Sequence, residues 1–309
     1  MSRASVVGML VAAEVLIVGM AIYAVGTGGA SFASGMHHVD FAAAPIAAVD
    51  AGATPRVVID DRSSRVHVAI SNDDKVHVRD LTEMHGGVYA SGKYPQLRVT
   101  RTADGVRIER PDTGRLLVQI FGFSTQAIDV EVPRGAHVEV ERSSGADVFG
   151  VAGGVSVHSV DGHVTLTDLQ GTVDAQSDDG YLKATNVRGD RLGLQSLDGH
   201  LSLDNVAVAT LAATTRDGRI EAEGLNVSGD ATLQTDDGSI RLKLAPNADL
   251  TIDASTRDGR IAVDGASLDR DDSAQRTIRL GAGTGRMKLA TADGSIHIFT
   301  NGVTQSDGL

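Results

Sequence analysis

One short phrase constrains the fold of this chain more than any other feature. The phrase is Ser or Thr, any residue, Asp, Gly, any residue, then Val, Ile or Leu, and it recurs seven times. The seven copies begin at Ser159, Ser177, Ser196, Thr215, Thr235, Thr256 and Thr291. Successive copies start 18, 19, 19, 20, 21 and 35 residues apart. A nearly constant period of this length is typical of repeat proteins, in which each unit packs on the next.

The residues after each Gly predict a strand in every repeat. The second and fourth residues after the Gly are apolar, as in Val164 and Leu166 or Ile240 and Leu242, and the residues between them vary. Because side chains alternate across a strand, the apolar columns should face the core and the variable columns should face outward. A weaker strand pattern precedes most copies, for example at residues 172–175.

These repeats are too short to fold alone, and this limits the choice of architecture. One repeat cannot bury its own apolar face, so it has to stack on its neighbours with strands in parallel register. We therefore predict an all-β chain with a parallel, right-handed β-solenoid, also called a β-helix. The same Asp-Gly turns would suit an antiparallel sandwich or roll of hairpins, which is the alternative.

Composition narrows the function classes. The chain has 36 Gly, no Cys, no Trp and 3% aromatic residues, and its net charge is −12. A nucleic-acid surface needs clustered Lys and Arg, so we expect no nucleic-acid partner. The lack of Cys excludes disulfides, thiol catalysis and thiolate metal sites.

The N-terminal segment has the pattern of a membrane anchor. Residues 5–25 are apolar apart from Glu14, and about 20 such residues are long enough to cross a bilayer as a helix. Arg3 precedes the run, so the positive-inside tendency places the N-terminus in the cytoplasm and the rest outside. A cleaved signal peptide is the alternative, because Ala30 and Ala33 would suit a peptidase.

The pattern divides the chain into five parts. Residues 1–26 are the membrane anchor or signal segment, and residues 27–54 form a Gly-, Ala- and Ser-rich flexible linker. Residues 55–142 alternate apolar and polar side chains less regularly, as expected of a β segment that caps the solenoid and merges into it. Residues 143–302 are the solenoid repeats, and residues 303–309 are a tail.

Seven in-register Asp residues raise the question of a metal site. A column of carboxylates is a candidate for calcium, but one Asp every repeat supplies too few oxygen ligands, and Asp-Gly is a common way to form a turn. His163 and His200 share an outward column, but the repeat of Tyr181 separates them by roughly 10 Å. We therefore predict no metal-binding or cofactor-binding residue, with calcium as the alternative.

Adjacent acids are the only candidates for catalysis. The two pairs are Asp178 with Asp179 and Asp236 with Asp237. Glycoside hydrolysis uses two carboxylates, which makes these pairs worth weighing. The matching positions in the repeats hold Arg216, Asp236 and Arg257, so an exposed ladder of alternating charge explains them equally. We predict no catalytic residue and a protein that is not an enzyme.

The variable positions are where recognition is expected. In the outward column directly after the Gly, the candidate residues are His163, Tyr181, His200, Arg219 and Arg260. The 35-residue spacing before Thr291 indicates one coil with an extra loop at residues 267–275. This loop adds the candidates Asp269, Arg270, Asp271 and Asp272.

The chain also resembles a known family. The repeated phrase, the segment 128–133 leading into 138–145, and the ending 291–298 are similar to the bacterial candidate-adhesin family of β-strand-repeat domains, a family of unknown function. The resemblance covers residues 66–301. It implies a role in attachment and offers no catalytic residue to transfer.

The sequence therefore favours a non-enzymatic binding scaffold of the bacterial cell envelope, exported and held at the membrane. Its partners would be the membrane, through the N-terminal helix, and an envelope protein or glycan. An enzyme acting on envelope or extracellular polysaccharide is one alternative, which a groove with two acids about 5–10 Å apart beside an Arg would support. An envelope-stress or assembly component is another, which an uncapped solenoid edge near Thr300 would support.

Overall fold

A computed structural model describes residues 36–42, 46, 48–90, 95–111, 117–245, 248–264 and 274–300. The predicted membrane segment, the candidates Asp269, Arg270, Asp271 and Asp272, and the tail lie outside these residues. No helix occurs in the described ranges, so none there is long and apolar enough to cross a membrane.

The described residues form 27 strands. The first twelve are β1 (Met36–Ala42), β2 (Val49–Asp50), β3 (Arg56–Asp60), β4 (Arg65–Ile70), β5 (Lys75–Asp80), β6 (Glu83–Ala90), β7 (Arg98–Arg101), β8 (Gly105–Glu109), β9 (Leu117–Thr125), β10 (Ala127–Val132), β11 (His137–Arg142) and β12 (Ala146–Phe149). The next eight are β13 (Val155–Asp161), β14 (Val164–Thr167), β15 (Gln170–Asp179), β16 (Leu182–Thr185), β17 (Arg188–Asp198), β18 (Leu201–Asp204), β19 (Ala207–Asp217) and β20 (Ile220–Val227). The last seven are β21 (Asp230–Asp237), β22 (Ile240–Leu244), β23 (Leu250–Asp258), β24 (Ile261–Asp264), β25 (Gln275–Leu280), β26 (Gly285–Asp293) and β27 (Ile296–Phe299).

Three of these strands make a separate antiparallel sheet. β6 is its central strand and pairs with β1 on one side and β9 on the other. Together with residues near them they form one compact unit, distinct from the solenoid unit. β1 lies within the predicted flexible linker, residues 27–54, so part of that segment is a strand. Antiparallel pairing with β6 supplies the backbone of β1 with hydrogen-bond partners.

The solenoid unit consists of two long sheets, here called sheet I and sheet II. The order in sheet I is β7-β8-β3-β11-β13-β15-β17-β19-β21-β26-β23-β25. The order in sheet II is β5-β10-β4-β12-β14-β16-β18-β20-β22-β27-β24. The short strand β2 pairs antiparallel with β5. Neighbours are parallel except at β7, β25 and β5, which pair antiparallel at the ends. The parallel solenoid is confirmed, and the antiparallel sandwich is wrong. Handedness stays a prediction.

The core lies between the two sheets and is made of the predicted apolar columns. Val164 and Leu166 of β14 are fully buried, as are Ile240 and Leu242 of β22. Fully burying an aliphatic side chain of this size contributes about 1.5–3 kcal/mol. The repetition of such pairs in coil after coil therefore holds the two sheets together.

Each copy of the phrase forms the corner at which the chain passes from sheet I to sheet II. Its Ser or Thr is buried, and the hydroxyl of Thr215 donates to the carbonyl of Gly199 at 3.1 Å. A Cβ on Gly199 would lie 2.0 Å from the carbonyl oxygen of Gly180 in the neighbouring coil. The Gly is therefore required by the close approach of stacked coils, and the hydroxyl satisfies the polar backbone at the corner.

The coil order at the C-terminal end differs from the order in the sequence. β26 lies between β21 and β23, and β27 lies between β22 and β24. The 35-residue spacing is therefore not one coil with an extra loop, because it includes β25, which returns antiparallel along β23. The edge near Thr300 considered for an assembly role is not an edge, since β27 is internal and Thr300 is buried.

The N-terminal part of the solenoid joins the same two sheets. β3 and β4 form a complete coil that stacks on β11 and β12, so residues 55–142 contribute coils as well as a cap. A buried ion network closes this end: Arg110 Nε donates to Asp61 at 2.6 Å, and its Nη2 donates to Asp80 at 3.0 Å. All three side chains are at most 3% exposed.

Candidate functional site

Three rings stack along the Asp-Gly corner of the solenoid. His163, Tyr181 and His200 follow the Gly in three successive coils, and backbone hydrogen bonds hold these coils in register. The Tyr181 ring meets His163 edge to face at a centroid distance of 6.0 Å and stacks on His200 at 5.3 Å. We call these three residues the ring column. Tyr181 lies between the two imidazoles, so the histidines do not share a ligand position.

The ring column continues into a groove on the outer face of sheet II. Glu221 lies in β20 and accepts from Arg219 at 3.3 Å, and His200 lies 3.6 Å from the same carboxyl group. The groove has a volume of about 450 Å³ and is lined by Lys183, Ser202, Leu203, Asp204, Glu221, Ala222, Glu223, Arg241, Lys243 and Phe299. We call it the sheet II groove. It presents both charge signs within a few strand spacings of the stacked rings.

Two groups of predicted site residues are not part of this cluster. Arg260 belongs to the last coil of the stack, and the coils of Ser239 and Ser295 lie between it and Arg219. At about 4.8 Å per coil, Arg260 is roughly 29 Å from His163 along the column. The loop candidates lie outside the described residues, so their part in recognition stays a prediction.

The Asp column is in register along seven coils, as the phrase predicts. In stacking order it consists of Asp161, Asp179, Asp198, Asp217, Asp237, Asp293 and Asp258. Partial desolvation and the neighbouring carboxylates Asp293 and Asp217 raise the pKa of Asp237 above its ordinary value. Within the described ranges, no group of three or more His, Asp or Glu residues is arranged to hold a metal.

The proposed ladder of Arg216, Asp236 and Arg257 has different neighbours from those expected. Arg216 donates to Asp198 at 2.6 Å and to Asp217 at 3.2 Å, and the bond to Asp198 contributes most to raising the pKa of Arg216. Arg257 does not stack beside Asp236, because the β26 coil lies between their coils. The coil order overturns this part of the prediction.

The opposite corner, from sheet II back to sheet I, has a second column that the sequence argument missed. Asp168, Asn186 and Asn205 have φ values of 56°, 56° and 53°, in the left-handed region that Asn and Asp tolerate. The Nδ2 of Asn205 donates to the Oδ1 of Asn186 at 2.6 Å, and the Nδ2 of Asn186 donates to the Oδ1 of Asp168 at 2.9 Å.

A sequence signal for this second corner did exist. Gly150, Asp168, Asn186, Asn205 and Gly224 recur at the period of the main phrase, and each precedes a buried aliphatic residue. Gly, Asp and Asn are the residue types that adopt positive φ most readily. A search for Gly, Asp or Asn followed by Val or Leu, repeated at this period, would have located the corner.

Two solved structures are similar to this chain at low sequence identity. At 10% identity, the chain is similar to a candidate cell adhesion protein from Clostridium sporogenes ATCC 15579, with 85% of this chain and 99% of that chain covered and a TM-score of 0.28. At 10% identity, it is also similar to a candidate adhesin from Bacteroides fragilis NCTC 9343, with 82% and 97% covered and a TM-score of 0.45. Likeness at this level assigns no function. No curated protein matches the chain.

A protein-family model matches most of the chain. The model of the Toastrack DUF4097 family matches residues 54–304, which include every strand of the solenoid from β3 onward. This range agrees with the resemblance that the repeated phrase predicts. The chain belongs to the Toastrack DUF4097 family.

Proposed function

We propose that this protein is a non-enzymatic binding scaffold of the bacterial cell envelope. In this proposal, residues 5–25 hold it at the membrane, the solenoid lies on the extracytoplasmic side, and the sheet II groove with the ring column binds an envelope protein or glycan. Membership of the Toastrack DUF4097 family fits a binding scaffold. The apolar run with Arg3 before it supports the membrane anchor.

The observation that carries the proposal is the continuity of the ring column with the sheet II groove. Tyr181 is half-buried between two imidazoles, and it stacks on His200 at a centroid distance of 5.3 Å. Rigid rings lose little conformational entropy on binding, and mixed charges beside them supply specificity. Such a surface suits an extended partner that runs across several coils.

Site-specific crosslinking in intact cells tests this proposal. A photoreactive amino acid at position 181 should capture an extracytoplasmic protein or glycan. The matched control places the same group at Gln234, which lies on the outer face of sheet I. We expect position 181 to capture at least several times more partner than position 234. The substitution H200A should reduce the capture because it removes the stacked ring.

Two outcomes would contradict different parts of the proposal. Equal capture at positions 181 and 234 would remove the ring column as the binding surface. Capture of cytoplasmic proteins alone would contradict export. Protection of the solenoid from protease added to spheroplasts would contradict the extracytoplasmic location in the same way.

One observation keeps the polysaccharide-enzyme alternative testable. Glu221 and Glu223 are two residues apart on one face of β20, roughly 7 Å, and Arg241 pairs in register with Glu221. However, Glu223 forms an ion pair with Lys243, and Glu221 lies beside Arg219 and His200. These ion pairs fit a charge ladder on the outer face of sheet II. Release of reducing sugar from envelope polysaccharide that is abolished by E223Q would establish the enzyme instead.

A further inference from the structure

A second concavity lies at the corner where the chain returns from sheet II to sheet I. Its volume is about 270 Å³, and it is lined by Arg134, Asp168, Leu169, Gln170, Asn186 and Arg188. Ligand pockets usually measure about 300–1,000 Å³, so this one is suited to a single small unit. We call it the arginine corner. It is separate from the ring column, which follows the opposite corner of each coil.

Two exposed arginines, Arg134 and Arg188, line this pocket. Backbone hydrogen bonds place Arg134 beside Ala152, Ala152 beside Gln170 and Gln170 beside Arg188 in four successive coils. Three coil spacings separate the two arginines by roughly 14 Å between Cα atoms. Ala152 and Gln170 lie between them in this row, and Gln170 lines the pocket together with the two arginines.

Neither arginine has an acidic partner among the described residues. The ion pairs in these ranges involve other arginines, such as Arg191 with Asp174 at 3.2 Å in the coil of Arg188. A guanidinium group offers five donors in a planar fork that matches a carboxylate. Two such groups in the lining of one pocket suit an anionic group of a ligand.

The rest of the pocket offers hydrogen-bonding groups that suit hydroxyls. The amide ladder of the second corner points its donors toward Asp168, whose Oδ1 accepts from Asn186 at 2.9 Å. The other carboxylate oxygen, Oδ2, has no partner among the described residues. It would repel a bare sulfate or phosphate but would accept a hydrogen bond from a hydroxyl group. Gln170 adds a donor and an acceptor at the same wall.

We propose that the arginine corner binds a carboxylated sugar unit, such as a hexuronate residue. Arg134 and Arg188 bind the carboxylate, and Asp168 and Gln170 bind the ring hydroxyls. A hexuronate carries both chemical groups within the size of this pocket. This site does not depend on the sheet II groove, so its failure would leave the proposed function intact.

Calorimetric titration of the detergent-solubilised full chain tests the site. The probes are digalacturonate, its methyl ester, which keeps the hydroxyls and lacks the charge, and sodium sulfate. We expect digalacturonate to bind at least about tenfold more tightly than the ester, as loss of a charge-assisted pair predicts. The substitutions R134Q and R188Q should each weaken digalacturonate binding about tenfold. R286Q, at an exposed position of β26 in sheet I and outside both the arginine corner and the sheet II groove, is the matched control and should have no effect.

The substitution D168N separates a sugar site from a general anion site. Because it removes the repelling charge and one strong acceptor, it should weaken digalacturonate binding and strengthen sulfate binding. Equal affinity for the acid and its ester would overturn the proposal, as would equal affinity for sulfate and digalacturonate. Unchanged binding in R134Q and R188Q, with melting curves like those of the unsubstituted chain, would also overturn it.

Discussion

At the scale of single residues, the repeated Gly is fixed by contact between coils. The φ of Gly199 lies outside the left-handed region, but a Cβ there would lie 2.0 Å from the carbonyl oxygen of Gly180. The backbone of a neighbouring coil cannot move away without breaking the ladder. The clash itself, and not backbone strain, makes this position intolerant of a side chain.

The substitution G199A should therefore destabilise the solenoid by about 2–4 kcal/mol, as overpacking beside a rigid backbone does. Gly52 is a matched control, because a side chain there would meet backbone strain and no steric clash. Its φ is 77° and nothing lies within 4 Å of a built Cβ, so G52A should cost only about 1 kcal/mol of conformational strain. Denaturant unfolding measures both values. A smaller loss for G199A than for G52A would contradict the contact argument.

Ionisation of Asp237 in the Asp column should make the stability of the chain depend on pH. The pKa of Asp237 is raised in the folded state by partial desolvation and by Asp293 and Asp217. Such a group contributes stability that is present below its unfolded pKa and is lost as pH rises through the folded pKa. D237N should therefore raise the melting temperature at pH 7, and this gain should disappear near pH 3.

Asp198 is the control for this prediction, since it occupies the same column but accepts from Arg216 at 2.6 Å. Removing that partner should lower the melting temperature at pH 7, so D198N and D237N should shift it in opposite directions. Thermal melts at pH 7 and near pH 3 are sufficient. Shifts of the same sign would show that repulsion along the column does not determine the effect.

At the scale of elements, the N-terminal end depends on one buried arginine. Arg110, at the end of β8, binds Asp61 between β3 and β4 and Asp80 at the end of β5. The Oγ of Ser64 also donates to Asp61, at 2.8 Å. Removing one partner of a buried ion network leaves uncompensated charge in a low dielectric, which is far costlier than replacing the whole network.

We expect R110M to destabilise the chain by about 3–5 kcal/mol. The triple substitution R110M, D61N and D80N removes the stranded charges as well, so it should recover part of that loss. Chemical denaturation compares the two variants. If the triple variant is less stable than R110M alone, the buried charges are not the source of the cost.

The strands were predictable from the sequence to a different extent in the two halves of the chain. In the repeats, the phrase marks each corner, so the alternation after Gly162 or Gly238 locates the next strand. In residues 55–142, β4 and β5 are consecutive strands around a turn, yet β10 lies between them in the sheet. Local alternation identifies both strands but contains no information about which distant strand inserts between them.

The candidate site was predictable in the same uneven way. The ring column follows from the outward position of His163, Tyr181 and His200, because register was already implied by the period. The sheet II groove depends on longer-range stacking, since it also includes Phe299 from β27, which is inserted between β22 and β24. Arg134 lies in a turn before the repeats begin, so no periodic pattern relates it to Arg188.

At the scale of the whole solenoid, both ends of sheet I finish in an antiparallel strand. β7 closes one end and β25 closes the other. Arg98 and Arg101 lie on β7, and Arg276 and Arg279 lie on β25. Charged side chains on an edge strand oppose pairing with a second molecule. Because β25 returns along β23, the coil of β26 and β27 has to enter the stack between β21 and β23 in sheet I.

The inserted coil is also the feature that the sequence could not predict. The phrases that begin at Thr235, Thr256 and Thr291 have the same form, so any two of these coils can stack in the same register. In the fold, Asp237 pairs with Asp293, and Asp293 pairs with Asp258. Stacking in sequence order would pair Asp237 with Asp258 and keep the same side chains in the core.

Engineered disulfides distinguish the two coil orders, and the absence of native Cys makes the test clean. Gln234 and Ala290 are neighbours in register, at about 4.8 Å, so Q234C with A290C should oxidise readily. Gln234 and Ser255 are two coils apart, roughly 10 Å, which exceeds the reach of about 7 Å, so Q234C with S255C should stay reduced. Mass spectrometry of the oxidised chain under non-reducing conditions identifies the linked peptides. Oxidation of the second pair but not the first would mean that the coils stack in sequence order, and the inserted position of β26 and β27 would then be wrong.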